Sequence, residues 1–298
     1  KAAEWYKLAA EQGYSRAQNA LGNLYYRGLG VELDCSKAVT WFLKAAEQGN
    51  SNAQNNLGIC YEEGKGVVKD FLQAKQFYQK AASNNHASAT NNLGYLYLME
   101  KLFKEAMNKF HIAASLGCID AVFNLGTMYE AGLGVTKDSH MMVEYYEEAA
   151  GKNYPKALVK MAHLYCKGEY IETDYQKAFN YFKKAAEQGN DEGENGLGQM
   201  YELGLGVKTN LKEAIKWYIK SSKQGNPVAA YNLGMICMEG RGLEEANPKK
   251  ALVYFKEALR NGHPEAKQRL NEVYQDFDLG IDQDENEDHE LSFSTINV

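Results

Sequence analysis

Residues 14–49 read YSRAQNALGNLYYRGLGVELDCSKAVTWFLKAAEQG. Their first half repeats apolar residues at helical spacing, at Ala17, Leu21, Leu24 and Tyr25. This spacing predicts a helix over about 15–27, and Gly28 predicts its end because glycine readily takes the left-handed conformation of a C-terminal cap. Asp34 is expected to cap a second helix over about 35–48. The stretch therefore predicts a helical hairpin, whose two helices we call A and B.

The same unit recurs along the whole chain. A Leu-Gly pair marks its register, with the glycines at Gly22, Gly58, Gly94, Gly126, Gly198 and Gly234, and Met161-Ala162 takes the remaining place. Successive spacings are 36, 36, 32, 36, 36 and 36 residues. In the unit at 86–117 the Gly-x-Gly turn is deleted, and Met99-Glu100-Lys101 is expected to join the two helices directly. We predict an all-α fold of about eight helical hairpins, with sixteen helices and no strands.

Composition excludes several classes of protein. A net charge of −6 and a pI near 5.7 argue against nucleic-acid binding, which needs a basic surface. No run approaches the roughly 18 apolar residues of a membrane span. The five cysteines lack paired spacing, which predicts free thiols and a cytoplasmic location. Lys1 falls inside a helical pattern, so we expect the natural protein to begin upstream, which leaves the endoplasmic-reticulum lumen and secretion open.

No catalytic, metal-binding or cofactor-binding pattern is present in the sequence. The six histidines fall in different repeats, without the spacing of metal ligands. The recurring Gly-x-Gly is not a phosphate-binding loop, because it joins two helices and no lysine follows at the required place. We therefore predict a non-enzymatic protein without a cofactor.

The pattern A-x-x-x-LG-x-x-Y-x-x-G-x-GV, followed by KA and KAAEQG in helix B, resembles the Sel1-like repeat, a relative of the tetratricopeptide repeat. The resemblance covers residues 1 to about 276. It implies one right-handed α-α superhelix, or solenoid, over 1–276, with incomplete first and last repeats. Residues 277–298 are strongly acidic and are expected to be a disordered tail, since they cannot bury enough apolar surface.

Helix A has a stripe that its own repeat does not bury, at positions equivalent to 19, 23 and 26. In tetratricopeptide relatives this stripe lines a concave groove that receives peptides, and the resemblance implies the same here. The predicted partner-binding residues are Asn19, Asn55, Asn91, Tyr95, Phe123, Val159, His163, Asn195, Tyr231, Met235 and Met238. Amides such as Asn91 and Asn195 could hold a bound backbone, and the apolar members could anchor it. Alternatively, the asparagines bond only neighbouring helices.

The sequence thus favours a scaffold or adaptor that binds a partner protein, as an extended peptide or a helix, in the concave groove. Two other functions remain open at this stage. The chain could be the repeat region of a larger protein with an enzymatic domain upstream, as in elongation-factor-2 kinase. It could also be an architectural subunit of a large complex, such as a ubiquitin-ligase adaptor. The acidic tail is a candidate competitor for the groove.

Overall fold

The computed structural model describes residues 2–243 and 245–276, and this part of the chain contains sixteen helices and no strand. The all-helical prediction is therefore confirmed. The chain divides into two compact units, Lys1–Tyr145 and Tyr146–Val298, with the boundary inside the ninth helix. The acidic tail predicted at 277–298 lies outside the described residues.

Unit 1 begins with a B helix and then alternates A and B. Its helices are α1 (Ala2–Glu11), α2 (Ser15–Arg27), α3 (Cys35–Glu47), α4 (Ser51–Glu63), α5 (Phe71–Ala82), α6 (Ala87–Met99), α7 (Phe103–Ser115), α8 (Ile119–Ala131) and the first part of α9 (Ser139–Gly151). Helices α2, α4 and α6 each pack against the B helix that follows, as predicted from the repeat.

Unit 2 continues the same alternation and ends on an A helix. Its helices after α9 are α10 (Pro155–Lys167), α11 (Tyr175–Glu187), α12 (Asp191–Leu203), α13 (Leu211–Lys223), α14 (Pro227–Glu239), α15 (Pro248–Arg260) and α16 (Ala266–Asp276).

Polar caps and left-handed glycines set the helix boundaries. The backbone N–H of Lys37 donates to Asp34 Oδ1 at 2.9 Å, which confirms the predicted N-cap of the first complete B helix. Gly28 has a φ of 66° and ends α2 as predicted. Local sequence signals therefore determine both ends of the A-to-B turn.

Close contact between the two helices of a hairpin depends on the glycine of the Leu-Gly pair. In five repeats an aromatic ring of helix B lies directly on this glycine, at Gly22, Gly58, Gly94, Gly198 and Gly234. A Cβ on Gly22 would lie 2.6 Å from the ring of Phe42, and a Cβ on Gly234 would lie 2.6 Å from that of Phe255. Both rings are fully buried. In these two repeats helix A thus approaches helix B so closely that a Cβ at this position would displace the ring.

The shortened repeat keeps both of its helices and loses only the turn. Helix α6 ends at Met99 and α7 begins at Phe103, so Glu100, Lys101 and Leu102 form the connection. Lys101 has a φ of 59° and takes the left-handed conformation that glycine supplies in other turns. The deletion predicted from the 32-residue spacing therefore removes turn residues alone.

A buried carboxylate is the main departure from the repeat pattern in unit 2. Glu194 of α12 stands where the first two complete repeats have Gln18 and Gln54, whose amides donate to backbone carbonyls of the preceding B helix. Gln224 Nε2 donates to Glu194 Oε2 at 2.8 Å. Burial is the main cause that raises the pKa of Glu194 above its ordinary value.

We expect Glu194→Gln to raise the free energy of unfolding at pH 7 by about 1 kcal/mol, because it removes a buried charge and keeps the hydrogen-bonding shape. A raised folded-state pKa stabilises the fold below the unfolded-state pKa, and this contribution is lost as pH rises through the folded-state value. The advantage of glutamine should therefore be small at about pH 4 and grow towards pH 7. Urea unfolding at both pH values measures it.

Glu192→Gln is the matched control, since Glu192 is exposed on the same helix turn. An equal gain from both substitutions, or a gain from Glu194→Gln that does not change with pH, would contradict the burial argument.

Candidate partner-binding surface

The stripe positions of successive A helices form one surface in each unit, which we call the A-helix surface. Hydrogen bonds between asparagines join neighbouring helices along it. Asn56 Nδ2 donates to Asn19 Oδ1 at 2.9 Å, and Asn124 Nδ2 donates to Asn91 Oδ1 at 2.9 Å. The other bonds of this kind run from Asn56 to Asn23 at 3.3 Å, from Asn92 to Asn55 at 3.2 Å and from Asn232 to Asn195 at 3.3 Å. The predicted amide ladder therefore bonds neighbouring helices, as the alternative interpretation held.

Two residues predicted for the partner surface are buried. Val159 is only 2% exposed, so the prediction that it anchors a partner was wrong. Asn55, at the equivalent position of α4, is buried too and accepts the bond from Asn92. The physical reason is that this position faces the next A helix, which the helical pattern of a single repeat does not reveal. The asparagines at the equivalent position of other A helices, Asn19, Asn91 and Asn195, are half-buried.

Tyr231, another predicted anchor, is held by the last A helix. The ring of His263 stacks on it with centroids 4.1 Å apart and an interplanar angle of 11°. The Tyr231 hydroxyl donates to Glu265 at 3.1 Å and accepts from Arg269 Nε at 3.3 Å. Its ring also lies 5.6 Å from that of Phe255. Tyr231 therefore fixes α16 in place, and its contact with a partner stays a prediction.

The remaining predicted residues keep some surface that a partner could contact. Tyr95 on α6 is 49% exposed and is the most open aromatic of the set. His163 is exposed in part and lies edge-on to Phe182 at 5.1 Å. Partial desolvation, with Lys167 and Lys160 nearby, lowers the pKa of His163, so its ring is neutral at pH 7. Phe123, Met235 and Met238 are half-buried.

The structure adds anchored carboxylates, which the sequence argument missed. Tyr78 donates its hydroxyl to Glu62 at 2.6 Å, and Tyr218 donates to Glu202 at 2.6 Å. Arg241 also pairs with Glu202. Burial, reinforced by the carboxylate, raises the pKa of both tyrosines, so their hydroxyls stay protonated donors.

A signal for these pairs is visible in the repeat. Tyrosine stands at the ring position of helix B where Phe42, Phe110, Phe182 and Phe255 stand in other repeats. Glutamate lies sixteen residues before each of Tyr78 and Tyr218. The exchange of phenylalanine for tyrosine could therefore have located the fixed negative charges of the A-helix surface.

Among residues 2–243 and 245–276, no group of three or more His, Cys, Asp or Glu side chains is arranged to hold a metal ion. Within the same described ranges, no helix has both the length and the apolar character needed to cross a membrane.

Comparison with known proteins fits this geometry. The hairpin stacks place the chain in the class of α-solenoid repeat proteins. The Sel1 repeat model matches residues 1–14, 15–50, 51–86, 87–104, 119–154, 155–190, 191–226 and 227–263. The chain therefore belongs to the Sel1 repeat family, which confirms the resemblance drawn from its sequence.

Individual relatives are similar over different lengths. A protective antigen of uropathogenic Escherichia coli with an SLR fold is 31% identical, with a TM-score of 0.71 over 92% of this chain and 59% of the antigen. A Sel1 repeat protein from Oxalobacter formigenes is 38% identical, with a TM-score of 0.59 over 72% of this chain and 88% of that protein.

A short match links the chain to a yeast protein. The chitin synthase regulator SKT5 of Saccharomyces cerevisiae is 38% identical over 58 residues, which are 20% of this chain and 8% of the regulator. The chain therefore spans a small part of that regulator, and less than two thirds of the antigen.

Proposed function

We propose that the chain is a non-enzymatic scaffold that binds an extended or helical segment of a partner protein on its A-helix surface. A repeat solenoid of the Sel1 type fits a protein-interaction scaffold. The proposal that the partner binds on the A-helix surface rests on Tyr95, an aromatic side chain of that surface that is half exposed to solvent. Large rings of this kind supply much of the binding energy at protein interfaces.

The surroundings of Tyr95 suit such a contact. Asn91, one helical turn before it, is held by Asn124, and half-buried Ile59 occupies the equivalent position on α4. Leu98 lies on the same face of α6, where its half-buried side chain extends the apolar surface. A partner side chain placed here would meet fixed neighbours and would order little of the scaffold on binding.

Tyr95→Ala should weaken capture of partner proteins by about tenfold or more, because truncating a central aromatic removes a large contact area. Affinity capture of the full-length protein with quantitative mass spectrometry measures the change. Tyr14→Ala is the matched control, since Tyr14 is an even more exposed tyrosine of unit 1. It precedes α2, at the opposite end of that helix from the A-to-B turn. Unchanged capture by a folded Tyr95→Ala protein would end the proposal.

A further inference from the structure

The A-to-B turns cover the B helices of the repeats before them. The second glycine of each of four turns lies against the first residues of the preceding B helix. A Cβ on Gly134 would lie 2.8 Å from the carbonyl oxygen of Phe103, and a Cβ on Gly242 would lie 2.8 Å from Leu211. Gly66 approaches Cys35, and Gly206 approaches Tyr175, in the same way. The start of a B helix is therefore normally covered by the next turn.

Helix α5 differs from these four B helices, because the turn that would cover it is the deleted one. Leu102 N–H donates to Tyr97 O at 2.9 Å, as Asp34 N–H donates to Tyr25 O at 2.9 Å in the complete turn. The register of the repeat thus resumes at Leu102. The missing residues are those equivalent to 29–32, including the second glycine and the valine after it. Phe71, at the start of α5, is left without a covering turn and is exposed.

An ion pair stabilises the base of this gap. Lys75 stands where other B helices carry an apolar residue, such as Val39, Phe179 or Ile215. Its Nζ lies 2.7 Å from Glu100 Oε2 and 4.5 Å from the centre of the Tyr97 ring. The pair joins the short connection to the first turns of α5. The deletion is therefore compensated by a contact between two neighbouring repeats, and the gap is not a packing defect.

The rim of the gap is apolar where the repeat is otherwise polar. Val68 is 88% exposed, and its equivalents in complete turns are Glu32, Thr136, Glu172 and Lys208. Leu72 is 65% exposed, and its equivalents are Ser36, Lys104, His140, Gln176, Lys212 and Lys249. Met99 is 54% exposed, and Phe71 and Leu102 are exposed beside them. The folded chain gains little by placing five such side chains in water.

The charges around the rim are mainly positive. Lys69, Lys101 and Lys104 are exposed and have no ion pair among the described residues, although Lys69 lies 4.7 Å from the centre of the Phe71 ring. Two of the nearby carboxylates are already engaged, and Glu105, beside Lys104, is exposed without an ion pair among the described residues. Glu100 pairs with Lys75, and Asp70 accepts the N–H groups of Leu72 and Gln73 as the cap of α5. A ligand here would meet apolar side chains flanked by ammonium groups.

We propose that this gap, which we call the α5 notch, binds an extended segment of a partner protein that carries an aliphatic side chain next to carboxylates. The segment would take the place of the missing turn, whose counterparts place a glycine and an aliphatic residue against the B helix. Its carboxylates would complement the three lysines. We favour a protein segment over a lipid surface, because the residues that other repeats place here are themselves a short stretch of polypeptide. The site lies outside the A-helix surface and does not depend on the function proposed for it.

Selection from a phage-displayed library of random peptides on the folded chain tests this proposal. Selected peptides should combine an aliphatic residue with Asp or Glu, and should bind Val68→Glu/Leu72→Lys about tenfold or more weakly. Both new residues occur at the same positions of other repeats, as Glu32 and Lys104, so the variant is expected to fold. Lys69→Glu/Lys104→Glu should weaken the same peptides through charge alone.

Two control variants separate the notch from other surfaces. Leu203→Lys removes an exposed leucine of unit 2, and Tyr95→Ala alters the A-helix surface. Both should bind the selected peptides like the wild-type chain. Peptides without carboxylates, or equal binding to wild type and Val68→Glu/Leu72→Lys, would overturn the proposal. A membrane outcome would also overturn it. If the wild-type chain co-sediments with phosphatidylcholine–phosphatidylserine vesicles and Val68→Glu/Leu72→Lys does not, the patch is a membrane-binding surface.

Discussion

The Gly94→Leu protein should unfold at a lower urea concentration than the wild type, with a loss of about 1–3 kcal/mol in the free energy of unfolding. A Cβ on Gly94 would lie 2.8 Å from the Phe110 ring and 3.2 Å from Lys109 Cβ. Phe110 is fully buried, so its ring cannot move aside without displacing its neighbours. Leucine would therefore force α6 and α7 apart.

The damage should be local, because repeats are stabilised by contacts with their nearest neighbours. We expect hydrogen exchange to become faster mainly over 86–117 and the adjoining repeats. Gly151→Leu is the control for the glycine-to-leucine change itself, since a Cβ on Gly151 meets nothing within 4 Å. Uniform acceleration of exchange from end to end, or equal destabilisation by both variants, would refute the close-packing argument.

Phe255→Ala should have the largest effect on stability in unit 2, a loss of about 3–5 kcal/mol. The ring is fully buried, lies against Gly234 and packs beside Tyr231. Alanine would leave a cavity between α14 and α15 that backbone glycine cannot fill. Because Tyr231 also holds α16, the last helix should lose protection against hydrogen exchange together with α15.

Leu259→Ala provides the comparison, since Leu259 is exposed on the same helix. Its effect in urea unfolding should stay within about 0.5 kcal/mol. A loss below about 1 kcal/mol for Phe255→Ala would mean that the ring is not a principal contact of the hairpin.

Most of the fold could be predicted from the sequence, because every repeat carries the same kinds of helix-capping and turn residues. Glycine at position 28 and aspartate at position 34 mark the two ends of the turn, and both adopt the expected geometry. The 32-residue spacing of the short repeat predicted the direct connection between its helices. The predicted connection began one residue too early, because Met99 is the last residue of α6.

The partner-binding residues were harder to predict, because exposure depends on the neighbouring repeats. A helical pattern shows which side of α10 faces its own B helix, but not that the next A helix covers Val159. The contacts of Tyr231 are not visible in its own repeat, because they come from His263, which precedes α16, and from Arg269 on α16. Comparison of each position across the repeats could have revealed Val68 and Leu72, whose equivalents are polar.

Site-specific photo-crosslinking tests the proposed scaffold function most directly. A benzophenone side chain would replace Tyr95 on α6 in one protein and Ile112, an exposed residue on α7 of the same repeat, in another. Partner binding on the A-helix surface predicts crosslinks to a protein from position 95 and none from position 112. Crosslinks from position 112 alone would contradict the account, since they would place the partner on the B helices.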